Sequence, residues 1–542
     1  MAKLTRVTDA FVYVKSKLAG AIQRLLEDKM TDTLSIKDFG AVGDGVHDDT
    51  DAIIAAFAAA KNKFGVIAPS GRYRVTREIP VDYALVLIGE GGNGFKGTNS
   101  SHNPSPHFGT TFVSDMASGY VFNISPAAFQ FGLTLRDFSI ERNESLGINN
   151  ARGMRLHNVG WTGIVDNVCI DGFWEHGLVI GYIQDTHFRG CTVLRCGNED
   201  VPSIEIVNDS NYVYFLNCHI EYSPFLFKNT GNAWEVHFTN NHFEVAQYGS
   251  SSGLPTLKYK QAPLQLGGGN MVTFNTCTIV PVSDEYLQTA LGIPFDSLPY
   301  FITGSGSFVK FINCSGIAPE GSVSYMYLTG TGNKVLGGTW KDMTPRRPSI
   351  VLEDGDIANN TLAIRVAADE TKLYGVLVNT RGKITDNLLT ASGTASTTRR
   401  TTGILVGCSP SAPLGAVQVS GNTYDLGNRP NRYVYHRIQI SGHDGGCSYF
   451  EGINAALFDL DYELYNPAAN FAMWNTTSWQ VTSQVNMNPG RVVMFHAGAI
   501  AGFINYSAYV KNATFNNLAV EAGASIMYKG ISDGEARMFQ VK

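Results

Sequence analysis

The sequence predicts an all-β chain wound as a parallel β-helix, on three observations. One short pattern occurs three times between residues 188 and 244, as FRGCTV from Phe188, FLNCHI from Phe215 and FTNNHF from Phe238. Each copy is an alternating apolar run with Gly or Asn at its third position, which reads as a strand closed by a turn. Looser copies begin at Leu135, Val165, Phe274 and Phe311, so successive starts lie 30, 23, 27, 23, 36 and 37 residues apart. A repeat this short, with no helix-length segment between its strands, makes a solenoid whose coils bury their apolar sides only by stacking. The copies also align in columns. The third position holds Asp137, Asn167, Gly190, Asn217, Asn240, Thr276 and Asn313, residues that tolerate turn geometry and are expected to stack into a side-chain ladder. The next column contains Cys191, Cys218, Cys277 and Cys314. These are expected to be packed interior thiols, because no CxxC pair or Cys/His ligand spacing accompanies them.

Composition narrows the partners. A chain of 542 residues has ample material for a large core, and the repeat merges most of it into one solenoid. Charged residues make up only 16%, beside 57 Gly and 24 Tyr, which suits a turn-rich β protein with an aromatic surface. A formal charge of −6 spread over this length argues against nucleic acid or an anionic membrane as partner. No apolar run reaches membrane-spanning length, and Lys15 and Lys17 interrupt the place where a signal peptide needs its apolar centre. The chain is therefore expected to be made in a cytoplasm with its thiols reduced.

Taken in order, residues 1–31 carry Leu4, Val7, Phe11, Val14, Leu18, Ala21 and Leu25 at alternating steps of three and four. This heptad seam predicts a short N-terminal helix, too short to stand alone, that docks on sister chains or on another assembly. Residues 34–75 predict a helix from Thr50 to Lys61, with Asp49 or Thr50 as its N-cap, then two strands joined by the Pro and Gly turn of VIAPSGRYRV. The cluster Asp44, Asp48, Asp49 and Asp51 lacks calcium-loop spacing, so no metal is expected there. Rungs continue weakly at Ile357, Ile384 and Val419, which sets the solenoid at 32–428 and leaves 429–542 as a separate β-sandwich-like domain for trimerisation, with sugar binding as a second use.

The segment KDFGAVGDGVHDDTDAI, with the helix and VIAPSGRYRV that follow it, resembles the opening of the pectate-lyase-like β-helix family found in bacteriophage tailspikes and capsule depolymerases. The close match runs from Leu34 to Val75. The resemblance implies a right-handed helix, a structural role for this cap, a homotrimer, and binding or cleavage of a bacterial surface polysaccharide. It also implies a virion tail protein, attached to other tail proteins through the N-terminal helix and acting outside the host cell.

Candidate chemistry sits on outward columns. Ile220 and Phe243 are expected to point inward, so His219 and Glu221, and His242 and Glu244 one coil later, are expected to face out together. The same columns bring in Glu141, Asp171 and Arg195, giving an acidic ladder broken by one arginine. Stacked carboxylates raise the pKa of at least one member, as a general acid needs. Glu221 with Glu244 on adjacent coils suits a retaining glycosidase pair, and Asp171 with Glu221 suits the wider inverting gap. The two long steps after Phe238 add loops that carry Tyr248, Lys258, Tyr259 and Lys260, and then Asp284, Glu285, Tyr286, Asp296 and Tyr300. Tyr212, Tyr222, Trp234 and Tyr248 are expected to stack on sugar faces, with His219, His242 and Arg195 also binding substrate. A rival site is a cleft between subunits drawing on Asp284, Glu285, Glu353, Asp354 or Asp356.

The leading expectation is an endo-acting glycoside hydrolase with two carboxyl groups and no cofactor. A polysaccharide lyase is the second, with Arg195, Lys258 or Lys260 neutralising a uronate and His219, His242 or Tyr222 as base. A glycan-binding adhesin without catalysis is the third. An esterase is disfavoured, because no GDS or GxSxG serine motif occurs.

Overall fold

The computed structural model describes, apart from a few single positions, residues 13–91, 109–245, 261–365 and 372–392, together with backbone strands out to residue 541. The chain is nearly all β, and its strands pair in parallel with strands one coil later, as a parallel β-helix requires. It divides into two compact units, Met1–Gly197 with Val213–His219, and Asn198–Tyr212 with Ile220–Gln247 and Thr256–Lys542.

In the first unit the registers follow the sequence repeat. Leu135 pairs with Val165, Val165 with Phe188, and Ile140 with Ile170. The Phe188 and Phe215 rings stack 4.7 Å apart in the core. Asp137, Asn167, Gly190 and Asn217 all have φ between 53° and 58°, the left-handed conformation that Asn, Asp and Gly adopt most readily. Asn167 Nδ2 donates to Asp137 Oδ1 at 2.8 Å, one rung of the expected ladder. Cys191 and Cys218, just inside this corner, are buried, and their thiols donate to the carbonyls of Val165 and Phe188.

The second unit repeats the plan. Phe238, Phe274 and Phe311 form a continuous stack with ring spacings of 4.7 and 4.6 Å, and Asn240, Thr276 and Asn313 turn the chain with φ of 54°, 56° and 52°. The longer polar ladder lies one position after the turn residue, in the cysteine column. Asn360 donates to Asn387 at 3.0 Å and Asn387 to Asn422 at 2.9 Å. Each of these side chains also donates to a backbone carbonyl, so an amide replaces a thiol inside the corner at no cost in unmet hydrogen bonds.

The cap segment at the start of the solenoid folds as two strands, Val66–Ala68 and Gly71–Val75, after a helix at Thr50–Ala60 that buries Ile53, Ala56, Phe57 and Ala60. Asp49 is the N-cap, as one of the two expected candidates, but its side chain makes no capping hydrogen bond. Asp49 is buried and accepts from the Val42 and Gly43 amides at 2.6 and 3.2 Å, while Asp48 accepts from the Thr50 amide at 3.1 Å. The heptad seam is not realised over the described residues 13–25. Tyr13–Val14 pairs antiparallel with Arg24–Leu25, and the helix is confined to Leu26–Met30. Gly20 turns the chain at φ 81°, and Leu18 and Ile22 remain exposed. Residues 1–12, where the seam begins, lie outside the described residues.

Parallel pairing also continues beyond the boundary expected at 428. Ile438–Gly442 pairs with Arg400–Cys408, and Ser448–Glu451 with Val417–Ser420. Antiparallel strands follow, with Val492–His496 and Glu535–Val541 flanking Ser525–Ser532.

The insertion after Val280 contains the helix Asp284–Leu291, capped by Ser283. Asp284 is buried and accepts from Ser324 Oγ at 2.7 Å. Ser324 Oγ in turn accepts from Arg347 Nε at 2.8 Å, and the Arg347 guanidinium lies 4.1 Å from the Tyr300 ring centre. Burial outweighs these partners and raises the Asp284 carboxyl to about 6.

Phe274→Ala is expected to cost about 3–5 kcal/mol, since it opens a cavity with a ring on either side, whereas Thr273→Ala on the half-exposed column is expected to stay within about 0.5 kcal/mol. Denaturant midpoints check both. Because the folded pKa of Asp284 lies above its ordinary value, its contribution is complete at low pH and lost as pH rises through about 6. Urea unfolding from about pH 4 to 8 is expected to show Asp284→Asn gaining on wild type across that window, by up to about 3 kcal/mol.

Candidate active site

Two groups of polar side chains arise where strands end at a corner of the coil. In the first unit, Glu141 pairs in register with Asp171, as the columns require. Both are buried, which the outward reading did not anticipate. Neither stands as a bare acid. Arg72 from the cap segment reaches Glu141 at 3.4 Å. Arg195 grips Asp171 with two hydrogen bonds, Nε to Oδ1 at 2.8 Å and Nη2 to Oδ2 at 2.5 Å, and also reaches Glu144 at 2.9 Å. Arg195 does not share the Asp171 rung, where Leu194 sits. It occupies the corner beyond at φ 48° and reaches back. Arg142, also buried, donates to the carbonyls of Gly172 and Gly147. Such two-pronged buried pairs are geometrically rigid, and losing one partner strands the other charge.

The second unit holds the other group. Within it the Tyr222 amide, directly after Glu221, donates to the Glu244 carbonyl at 2.9 Å, which sets the end of the His242–Glu244 strand beside Glu221. Glu221 is buried at 3% exposure, whereas His242 and Glu244 are half-buried. The expected outward position is thus realised for Glu244 and His242, but Glu221 lies covered, immediately before the chain turns at Tyr222 with φ 59°. His242 Nε2 sits 3.1 Å from Glu244 Oε2 and 3.8 Å from Glu221 Oε1. One oxygen from each carboxylate and this nitrogen lie within 4.8 Å of one another. Burial, and next the charges of Glu244 and Glu221, push the Tyr222 phenol upward, so it stays a neutral hydrogen-bond donor. Among the described residues this is also the group that brings three potential metal-ligand side chains together.

The remaining expected residues fall elsewhere. His219 is exposed, on the far side of Ile220 from Glu221 in the same strand. Trp234 opens the strand Trp234–Thr239 and belongs to a different corner from Glu244, which closes His242–Glu244. Tyr248 and the loop lysines 258 and 260 lie outside the described residues. The rival acids each have partners in their own chain. Glu285 accepts from the Ser322 amide and hydroxyl at 2.7 and 2.6 Å, Tyr327 donates to Glu353 at 2.9 Å, Arg381 pairs with Asp354 at 2.7 Å, and Lys334 lies 3.3 Å from Asp356. Sequence reasoning missed Arg72 and Arg142. The signal was present for Arg142, which follows Glu141 directly, but absent for Arg72, which acts across 69 residues.

Residues 33–249 match the family model described as Rhamnogalacturonase A/epimerase, pectate lyase-like. The tail spike protein of an Escherichia phage is 52% identical over 58 residues, 11% of this chain and 7% of that protein. The depolymerase 1, capsule KN3-specific, of Klebsiella phage KN3-1 is 24% identical over 337 residues, 58% of this chain and 40% of that protein. Among solved structures, the tailspike protein gp49 from Pseudomonas phage LKA1 aligns at 13% identity with a TM-score of 0.49, over 94% of this chain and 98% of that one. The chain spans less than half the length of the two curated relatives. The match over residues 33–249 and these relatives bear out the likeness to the pectate-lyase-like β-helix family and to bacteriophage tailspikes and depolymerases that the cap segment suggested.

Proposed function

We propose that the protein is a phage tailspike depolymerase that cleaves a bacterial surface polysaccharide by endo-acting hydrolysis, with Glu221 and Glu244 as the reacting carboxyl groups. The observation that carries this reading is the Glu221, His242 and Glu244 cluster, whose two carboxylates approach within 4.8 Å. That spacing favours a retaining displacement over the wider inverting geometry. One carboxyl protonates the glycosidic oxygen as the bond to the anomeric carbon breaks, and the other carboxylate forms a bond to that carbon. Water then attacks, losing its proton to the first group and releasing the second. His242, between the two, holds Glu244 in place, and Tyr222 offers a neutral donor to the sugar. Asp171 is better suited to holding Arg195 rigid than to proton transfer, because both its oxygens are engaged. A homotrimer and attachment to other tail proteins belong to the same reading.

A lyase reading has one observation in its favour, the 3.1 Å contact that orients His242 against a carboxylate, as a general base requires. The products decide. Purified protein is expected to shorten a capsule or O-antigen polysaccharide with new reducing ends and no gain in ultraviolet absorbance. Glu221→Gln and Glu244→Gln are each expected to lower the rate by roughly 10²–10⁴-fold, while a chelator leaves the rate unchanged. A conjugated, absorbing product overturns hydrolysis. Full activity in both variants moves the chemistry elsewhere, and binding without shortening favours an adhesin.

A further inference from the structure

The second unit has another corner, five residues before its turn column, and it is built differently. Tyr212, Glu235, Met271 and Phe308 occupy it on successive coils with φ of 54°, 55°, 59° and 59°. Left-handed backbone costs bulky residues about 1–2 kcal/mol each, and the neighbouring turn column lowers that cost at two of its three positions by using Asn240 and Asn313. Large side chains are therefore held outward here against local preference, which marks a position with a further role. The coils are locked together by backbone hydrogen bonds from Trp234 to Ser210 at 2.8 Å, from Glu235 to Asn270 at 3.2 Å and from Met271 to Ser307 at 2.9 Å.

Asn211, Tyr212, Trp234, Glu235 and Met271 line an open cleft of about 380 Å³ at this corner. Tyr212 is 47% exposed and Trp234 48%. An indole and a phenol beside an amide and a carboxylate match a pyranose ring, which has an apolar face of C–H groups and a rim of hydroxyls. The size suits one or two sugar rings. We propose that this cleft is a sugar-binding subsite separate from the carboxylate cluster, taking an uncharged hexopyranose of a polysaccharide chain. Glu235 on the wall repels a uronate and accepts from sugar hydroxyls, so the neutral sugar is preferred. Such a subsite tethers the polymer without taking part in bond cleavage.

The test uses the full chain and saturation-transfer NMR with the methyl glycosides of glucose, galactose, mannose and N-acetylglucosamine, beside methyl glucuronide. Wild type is expected to saturate the ring protons of at least one neutral sugar more strongly than the glucuronide. Trp234→Ala is expected to weaken that binding roughly tenfold or more, with an unchanged melting temperature. Glu244→Gln is expected to keep it, so the subsite stands or falls separately from the proposed hydrolytic pair. No saturation with any neutral sugar overturns the proposal, as does binding unaffected by both Trp234→Ala and Tyr212→Ala. A Trp234→Ala chain that instead changes its oligomeric state in light scattering also overturns it, because the cleft then serves a second copy of the chain.

Discussion

Everything in the molecule depends on register between successive coils. A residue stacked on its counterpart one coil away is set by hydrogen bonds along the strand, and a slip of one position turns every side chain to the other face. The left-handed corner at Asn240, Thr276 and Asn313 fixes where each coil bends, and the Phe238, Phe274 and Phe311 stack rewards the coils for bending at the same place. Neither feature specifies much alone. An Asn corner without the phenylalanine column leaves the coil free to slide, and the phenylalanine column without a fixed corner leaves its length undefined.

Register then does chemical work at no added entropic cost. Side chains on adjacent coils are delivered within hydrogen-bond or ion-pair reach by the backbone, before any loop is ordered. The same geometry yields opposite results in the two units. Glu141 and Asp171, stacked and buried, are each held by an arginine and become struts. Glu221 and Glu244 keep a histidine between them, with Glu244 and His242 partly open to solvent. The difference lies in which residue follows at the corner. Arg195 turns back onto its acid, whereas Tyr222 contributes a phenol that cannot neutralise a carboxylate.

The periodic features were legible in the sequence because each coil repeats them. Leu135, Val165 and Phe188 pair as their spacing predicts, and the turn column is left-handed at every described member from Asp137 to Asn313. The strand, turn and strand of the cap were legible from Pro69 and Gly71. What was not legible depends on single, non-repeated contacts. Glu221 is buried directly before the left-handed turn at Tyr222, a placement that alternation along the strand does not report. Arg72 meets Glu141 only after the cap has folded. The heptad seam looked helical by spacing alone, but over the described part the chain turns at Gly20 into the hairpin of Tyr13–Val14 and Arg24–Leu25, a single glycine turn that apolar spacing does not report. Strands such as Ile438–Gly442 pair in parallel without carrying the turn signature, so the repeat does not report them.

The central claim is that adjacent coils place Glu221 and Glu244 as one reacting pair. Proton NMR of the first products released from a cleaved surface polysaccharide tests it most directly, because anomeric configuration reports the number of displacements at the reacting carbon. Carboxylates within 4.8 Å predict that configuration is retained. Inverted products, or an unsaturated ring in place of a free anomeric centre, would contradict the account.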